Sequence, residues 1–250
     1  MATAPSPPWQ SIDLGRGVLA AWTARAGGVS RPPWDTLNLG LNVGDDEAAV
    51  LANRARLSAW AGVPVVFGTQ VHGAAVRVIR DVPDDPRTAG VADAFVTTSA
   101  HLAVAVLVAD CVPVLLADSQ ARVVAAVHAG RGGLVAGVIG AAVAAMVGCG
   151  ARPERIRAAI GPCIAGSSYE VPAALRDEVA RRLPEAPATT SWGTPALDLR
   201  AAAVGELARA SVTDVECVAR DTFTDDALFS HRRAAGAPTG RCAGLVRLSP

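Results

Sequence analysis

The chain has 250 residues, 51% hydrophobic and 18% charged, with Lys+Arg and Asp+Glu both totalling 23. That length fits one large domain or two small ones, and the composition supports a sizeable core and argues against disorder. Zero formal charge removes a whole-molecule field for nucleic acid or anionic lipid, and the absence of any lysine excludes Schiff-base and phosphate-loop lysine chemistry.

The N-terminal MATAPSPPWQ has no basic region followed by an apolar run, so no secretory signal is expected and a cytoplasmic location is the default expectation. Residues 1–12 read as a loose tail, and 13–250 as a single catalytic domain. Val18 to Thr23 reads as a strand. Asp45, Asp46 and Glu47 read as the acidic start of a helix that ends at Gly62. Strands are expected at Val63–Phe67, Ala75–Ile79, Ala94–Thr97, Leu102–Val108, Val112–Ala117 and Val123–His128, all rich in β-branched residues between turn formers. Gly132 and Gly133 then open a long helix, Leu134 to Val147. Arg155–Ile160 is a further strand, Pro172 starts a helix to Leu183, and Asp198 caps one through Ala210. Strands at Val215–Ala219 and Gly244–Leu248 close the chain. Leu102–Leu116 and Leu134–Val147 are both shorter than the roughly 18–20 apolar residues that span a bilayer, so no membrane partner is expected. Strands and helices mix without regular alternation. The expected class is therefore α+β, a single domain of mixed β-sheets flanked by helices.

Five cysteines without a CxxC pair indicate neither a disulfide framework nor a zinc ribbon. Of four histidines, His72 in GTQVHG and His128 at the end of VVAAVH lie where a strand meets a turn, and Cys111 sits between two apolar strands. Two imidazoles and a thiolate would make a three-ligand zinc site with an open fourth position. Equally, Cys111 reads as an inert buried thiol beside hydrogen-bonded histidines, because the spacing matches no local zinc motif. Asp110, flanked by apolar runs, reads either as the partner that orients a ligating His or an Arg, or as an exposed turn residue. Gly130-Arg131-Gly132-Gly133 runs from strand to helix, either as a simple tight turn or as a turn that offers free N–H groups to an anion.

Taken together, ARAGGVS at Ala24–Ser30, LNLGLNVGDD from Leu37, NRARL from Asn53, TQVHG from Thr69, ADCVPVLLAD from Ala109, VHAG from Val127, IGPCI from Ile160 and FSHRR from Phe229 resemble the laccase-domain family. Its members are called multicopper polyphenol oxidases, and are also described as purine nucleoside phosphorylases with adenosine deaminase activity and as peptidoglycan editing factors. The resemblance covers roughly residues 17 to 248 and implies a laccase-domain fold like that of cytotoxic necrotizing factors. It implies that His72, Cys111 and His128 bind the catalytic metal, zinc or alternatively copper. Nucleosides (adenosine, inosine, methylthioadenosine) and phosphate are the implied small-molecule partners, on a monomer or homodimer. Arg25 and Gln70, beside the family motifs, and Arg131 are the expected substrate or phosphate contacts. Other readings are a copper phenol oxidase and a thiol hydrolase acting on a cell-wall precursor. Two motifs depart from the pattern. HAGWRG is HAGRGG here, with Arg131 for the Trp and Gly132 for the Arg, and FSYRR is FSHRR, with His231 for the Tyr. His231 reads as structural or substrate-adjacent, and His101 as a surface residue.

Overall fold

The computed structural model describes residues 9–85 and 87–249. In chain order the strands are β1 Trp9–Ile12, β2 Val18–Thr23, β3 Val65–Val66, β4 Val76–Val78, β5 Ala94–Thr97, β6 Ala103–Val108, β7 Val112–Asp118, β8 Val123–Ala129, β9 Arg157–Ile160, β10 Pro187–Thr189, β11 Pro195–Leu197, β12 Asp214–Cys217 and β13 Cys242–Leu248. The helices are α1 Glu47–Ala61, α2 Arg131–Val135, α3 Val138–Gly148, α4 Ala173–Ala180, α5 Leu199–Arg209 and α6 His231–Ala234.

Two mixed sheets form the centre. One has the order β1-β2-β13-β6-β3, the other β12-β9-β7-β8-β5-β4, and β10-β11 is a separate hairpin. The period-2 alternation of apolar residues explains the layers. Val104 and Val106 of β6 face Phe95, Leu115, Val124 and Ala126 of the other sheet. Ala103 and Ala105, one residue out of step, face Leu57 and Ala61 of α1. Val123, Ala125 and Val127 of β8 pack on α3 and α5 through Ile139, Ala142 and Leu207. The order is therefore helix, sheet, sheet, helices, and the middle strands are buried on both faces. The α+β class with mixed sheets is what the residue pattern predicts.

Local chemistry sets the boundaries. Asp46 caps α1 by accepting from the Ala48 N–H, and Gly62 closes it at φ 73°. Asp198 caps α5 in the same way through Ala201. Three expectations are corrected. Trp9–Ile12 is no tail: it pairs antiparallel with β2, and Trp9 packs 4.8 Å from Trp60. Residues 1–8 of that expected tail lie outside the described residues. The long helix expected from Leu134 is two, because Gly137 takes φ 82° between α2 and α3, a conformation only glycine adopts cheaply. Pro172 is the N-cap of α4, not its first helical residue.

Candidate metal centre

The ends of three elements meet at one cavity. His128 is the penultimate residue of β8, Cys111 immediately precedes β7, and His72 lies in the loop between β3 and β4. Pairing of β7 with β8 sets Pro113 opposite His128, which brings Cys111 to the same end of the sheet. Donor atoms of His72, Cys111 and His128 all lie within 4.8 Å of one another. Cys111 Sγ is 3.7 Å from His72 Nε2, and the two imidazole rings are 4.8 Å apart, edge to face. Two ligands of a tetrahedral zinc ion would be about 3.5 Å apart, given Zn–S and Zn–N bonds of about 2.3 and 2.0 Å. The thiolate–imidazole donor set and its spacing therefore fit a catalytic zinc. His128 is buried, Cys111 half-buried and His72 exposed, which leaves one side open to the cavity.

Backbone shape is part of the design. His72 has φ 59° and Asp110 φ 88°, left-handed values that cost energy for non-glycine residues and recur at functional sites. Gly130 is needed for a different reason: a Cβ there would stand 2.7 Å from His72 Cδ2 and 3.0 Å from Cys111 Sγ.

Asp93 was not singled out from the sequence. Fully buried just before β5, its carboxylate accepts from the backbone N–H of His72 at 2.9 Å and of Gly73 at 2.8 Å. It also lies 2.8 Å from His128 Nδ1. That bond leaves His128 Nε2 as the free donor, the arrangement that orients metal-ligating histidines. Burial works against the Asp93 carboxylate, but His128 and the Gly73 and Val71 N–H groups outweigh it and hold its pKa below the usual value. Burial likewise raises the Cys111 thiol, yet hydrogen bonds and charge from His128 and His72 bring it down to about 6. His128 is lowered by burial, but Asp93 and Cys111 raise it to about 9. Each charge thus favours the other, thiolate beside imidazolium, and a metal ion would compete for the place of that proton.

A cavity of about 800 Å³ opens from this centre, lined also by Arg54, Gln70, Arg131, Tyr169, His231, Arg232 and Arg241. Arg131, the first residue of α2, makes no ion pair among the described residues. His231 lines the cavity, and His101 is exposed elsewhere. Three expected site residues have other partners in the structure. Arg25 does not line the cavity: its guanidinium bonds Asp35 at 2.7 Å and stacks on Phe229, a structural use. Gln70 is in the wall, but both ends of its amide are held by Leu107 N and O, at 2.7 and 2.8 Å. Asp110 is buried, not an exposed turn residue, and accepts from Thr222 Oγ1 and the Arg232 N–H, both at 2.6 Å.

Fold and site together define a mixed-sheet α+β protein with a His–Cys–His group at the floor of a cavity. The chain belongs to the family described as multi-copper polyphenol oxidoreductase laccase, whose profile matches residues 19–249. A Mycobacterium tuberculosis protein named a purine nucleoside phosphorylase is 50% identical over 229 residues, covering 90% of this chain and 89% of its own. One of that name from Streptomyces coelicolor is 49% identical over 239 residues, covering 94% and 98%. Among solved structures, the YlmD protein of Geobacillus stearothermophilus superposes with a TM-score of 0.88 at 31% identity, covering 99% of this chain and 98% of its own. A Neisseria meningitidis protein gives 0.86 at 33%, covering 98% and 100%. No described helix is long and apolar enough to cross a membrane.

Proposed function

We propose that the chain is a zinc-dependent purine nucleoside phosphorylase acting on adenosine, inosine and methylthioadenosine, with adenosine deaminase activity. The observation that carries this is the convergence of His72, Cys111 and His128 at a cavity large enough for a nucleoside, in a chain whose relatives bear the phosphorylase name. Pocket volumes of about 300–1,000 Å³ hold small substrates.

Zinc held by these three side chains would supply Lewis-acid polarisation and an acidified water. The chain's own residues do the rest. Asp93 fixes the His128 ring and the His72 backbone, so the two imidazoles need little reorganisation. Cavity walls bury the nucleoside and exclude bulk water. In phosphorolysis a phosphate oxygen bonds to the anomeric carbon while the C–N bond breaks and its electrons pass to the purine. Arginines that line the cavity can hold that phosphate, and His231, on the same cavity, can give a proton to the departing base. In deamination water adds at C6 of adenine and ammonia leaves.

Copper remains the alternative metal. A coupled four-copper site needs about ten histidines, as imidazole-rich copper centres do, and this chain has 4. Incubation of purified protein with adenosine and phosphate should yield adenine and ribose 1-phosphate. Activity that survives Cys111→Ala unchanged would remove the centre from the reaction.

One observation favours a second reading. Cys111, His128 and Asp93 form a thiolate–imidazole–carboxylate series, the arrangement of a thiol nucleophile with its base and orienting acid. A thiol hydrolase acting on a cell-wall precursor would resist chelators and form a covalent adduct at Cys111. The zinc reading predicts loss of activity on chelation.

A further inference from the structure

Arg54 is 7% exposed and lines the cavity, yet among the described residues it has no carboxylate partner. Its Nε donates to Leu39 O at 2.9 Å and its Nη1 to Arg87 O at 3.0 Å. Carbonyls satisfy N–H groups but bring no net negative charge. The Phe67 ring, 4.2 Å below the guanidinium, offsets part of the cost. A buried unpaired cation is otherwise expensive, and proteins pair such charges. Burial accordingly lowers Arg54 to about 10.

A second arginine lines the same cavity. Arg241 is half-buried, and its Nη1 bonds only the carbonyls of Thr239 and Gly240, at 3.1 and 2.9 Å. Leu39 and Gly40 lie between the two: Leu39 O takes the Arg54 bond, and a Cβ on Gly40 would stand 2.8 Å from Arg241 Cγ. Burial lowers Arg241 too, opposed by the charges of Cys111 and Asp110. Asp110 is already engaged by Thr222 and the Arg232 N–H. Arg87, at the rim, differs: Glu47 at 2.7 Å balances it. Two guanidiniums that line one cavity, neither hydrogen-bonded to a carboxylate among the described residues, suit an anion bound in that cavity. Guanidinium forks match tetrahedral oxyanions, and Thr88 lines the same cavity.

We infer that Arg54 and Arg241 form the binding site for inorganic phosphate, the co-substrate, on the wall of the cavity that holds His72, Cys111 and His128. The phosphate's role as co-substrate rests on the phosphorylase reading; the anion site itself does not. Arg25, expected from the sequence, does not line this cavity.

The test is calorimetric titration of the full chain, as purified, with inorganic phosphate. Saturable binding at about one phosphate per chain is expected, weakened at least tenfold in Arg241→Gln and in Arg54→Lys, which keeps the charge but loses the fork. Melting curves and metal content confirm that each variant is folded. Arg157→Gln, at the protein surface, should bind phosphate as the parent does. AMP, an ester with the same oxyanion, is titrated in parallel and should bind more weakly than phosphate. No binding by the parent, undiminished binding by folded Arg241→Gln, equal weakening by Arg157→Gln, or AMP at least tenfold tighter than phosphate would each overturn the assignment. If phosphate binds as expected and no purine nucleoside is cleaved, the site stands and the phosphorylase reading falls.

Discussion

Asp93 Oδ1 lies 2.8 Å from His128 Nδ1, and the same carboxylate receives the His72 backbone N–H at 2.9 Å. One buried side chain thus sets the orientation of two candidate ligands from different parts of the chain. The backbones join in as well, since His128 N donates to Asp93 O at 2.7 Å.

Asp93→Asn should disturb the centre more than its size suggests. Four donors point at the carboxylate, whereas an amide offers one acceptor oxygen and two donors of its own. Metal affinity, read by competition with a chromophoric chelator, should fall about 10–100-fold. Asp110→Ala should act differently. It frees Thr222 and the Arg232 N–H, and should cost about 1–3 kcal/mol of stability by denaturant unfolding while metal still binds.

Cys111 should react as a thiolate in mildly acidic solution. With its pKa at about 6, the rate of iodoacetamide labelling in metal-free protein should rise with a midpoint near pH 6 instead of the ordinary 9.0. Added zinc should block it.

Stability follows from the same shifts. The depressed Cys111 value contributes stability that is present above pH 9.0 and lost as pH falls through about 6. The raised His128 value contributes below pH 6.5 and is lost as pH rises through about 9. Between about pH 6.5 and 9 the two slopes oppose and cancel, so metal-free protein should melt at a nearly constant temperature there, whereas Cys111→Ala, with His128 raised by Asp93 alone, should lose stability as pH rises.

Glycines separate the site from the scaffold. Gly130→Ala should abolish metal binding, since its Cβ meets His72 and Cys111. Gly140→Ala, inside α3 with nothing within 4 Å of the added carbon, should raise stability by about 0.5–1 kcal/mol in thermal unfolding.

Periodicity made the framework legible. β5 falls on Ala94–Thr97 as predicted, and α1 lies between Asp46 and Gly62, because alternation and capping are local signals. The break at Gly137 was not, since a lone glycine among apolar helix formers carries no local sign of its φ. Trp9–Ile12 is fixed by pairing with β2 and by Trp60, both distant in sequence. His72, Cys111 and His128 were visible by residue type and family motif. Asp93 was hidden in VADAFV, where only the pairing of β5 with β8 brings it to His128. Arg25 and Arg54 exchanged significance for a similar reason: whether a carboxylate lies opposite a guanidinium is decided by tertiary packing.

The most direct test of the metal centre is elemental analysis of the chain purified without added metal, alongside Cys111→Ala. About one zinc per chain, no copper, and loss of the zinc in the variant are predicted for a three-ligand site. Metal-free wild-type protein that still cleaves adenosine, or equal zinc in both proteins, would contradict it.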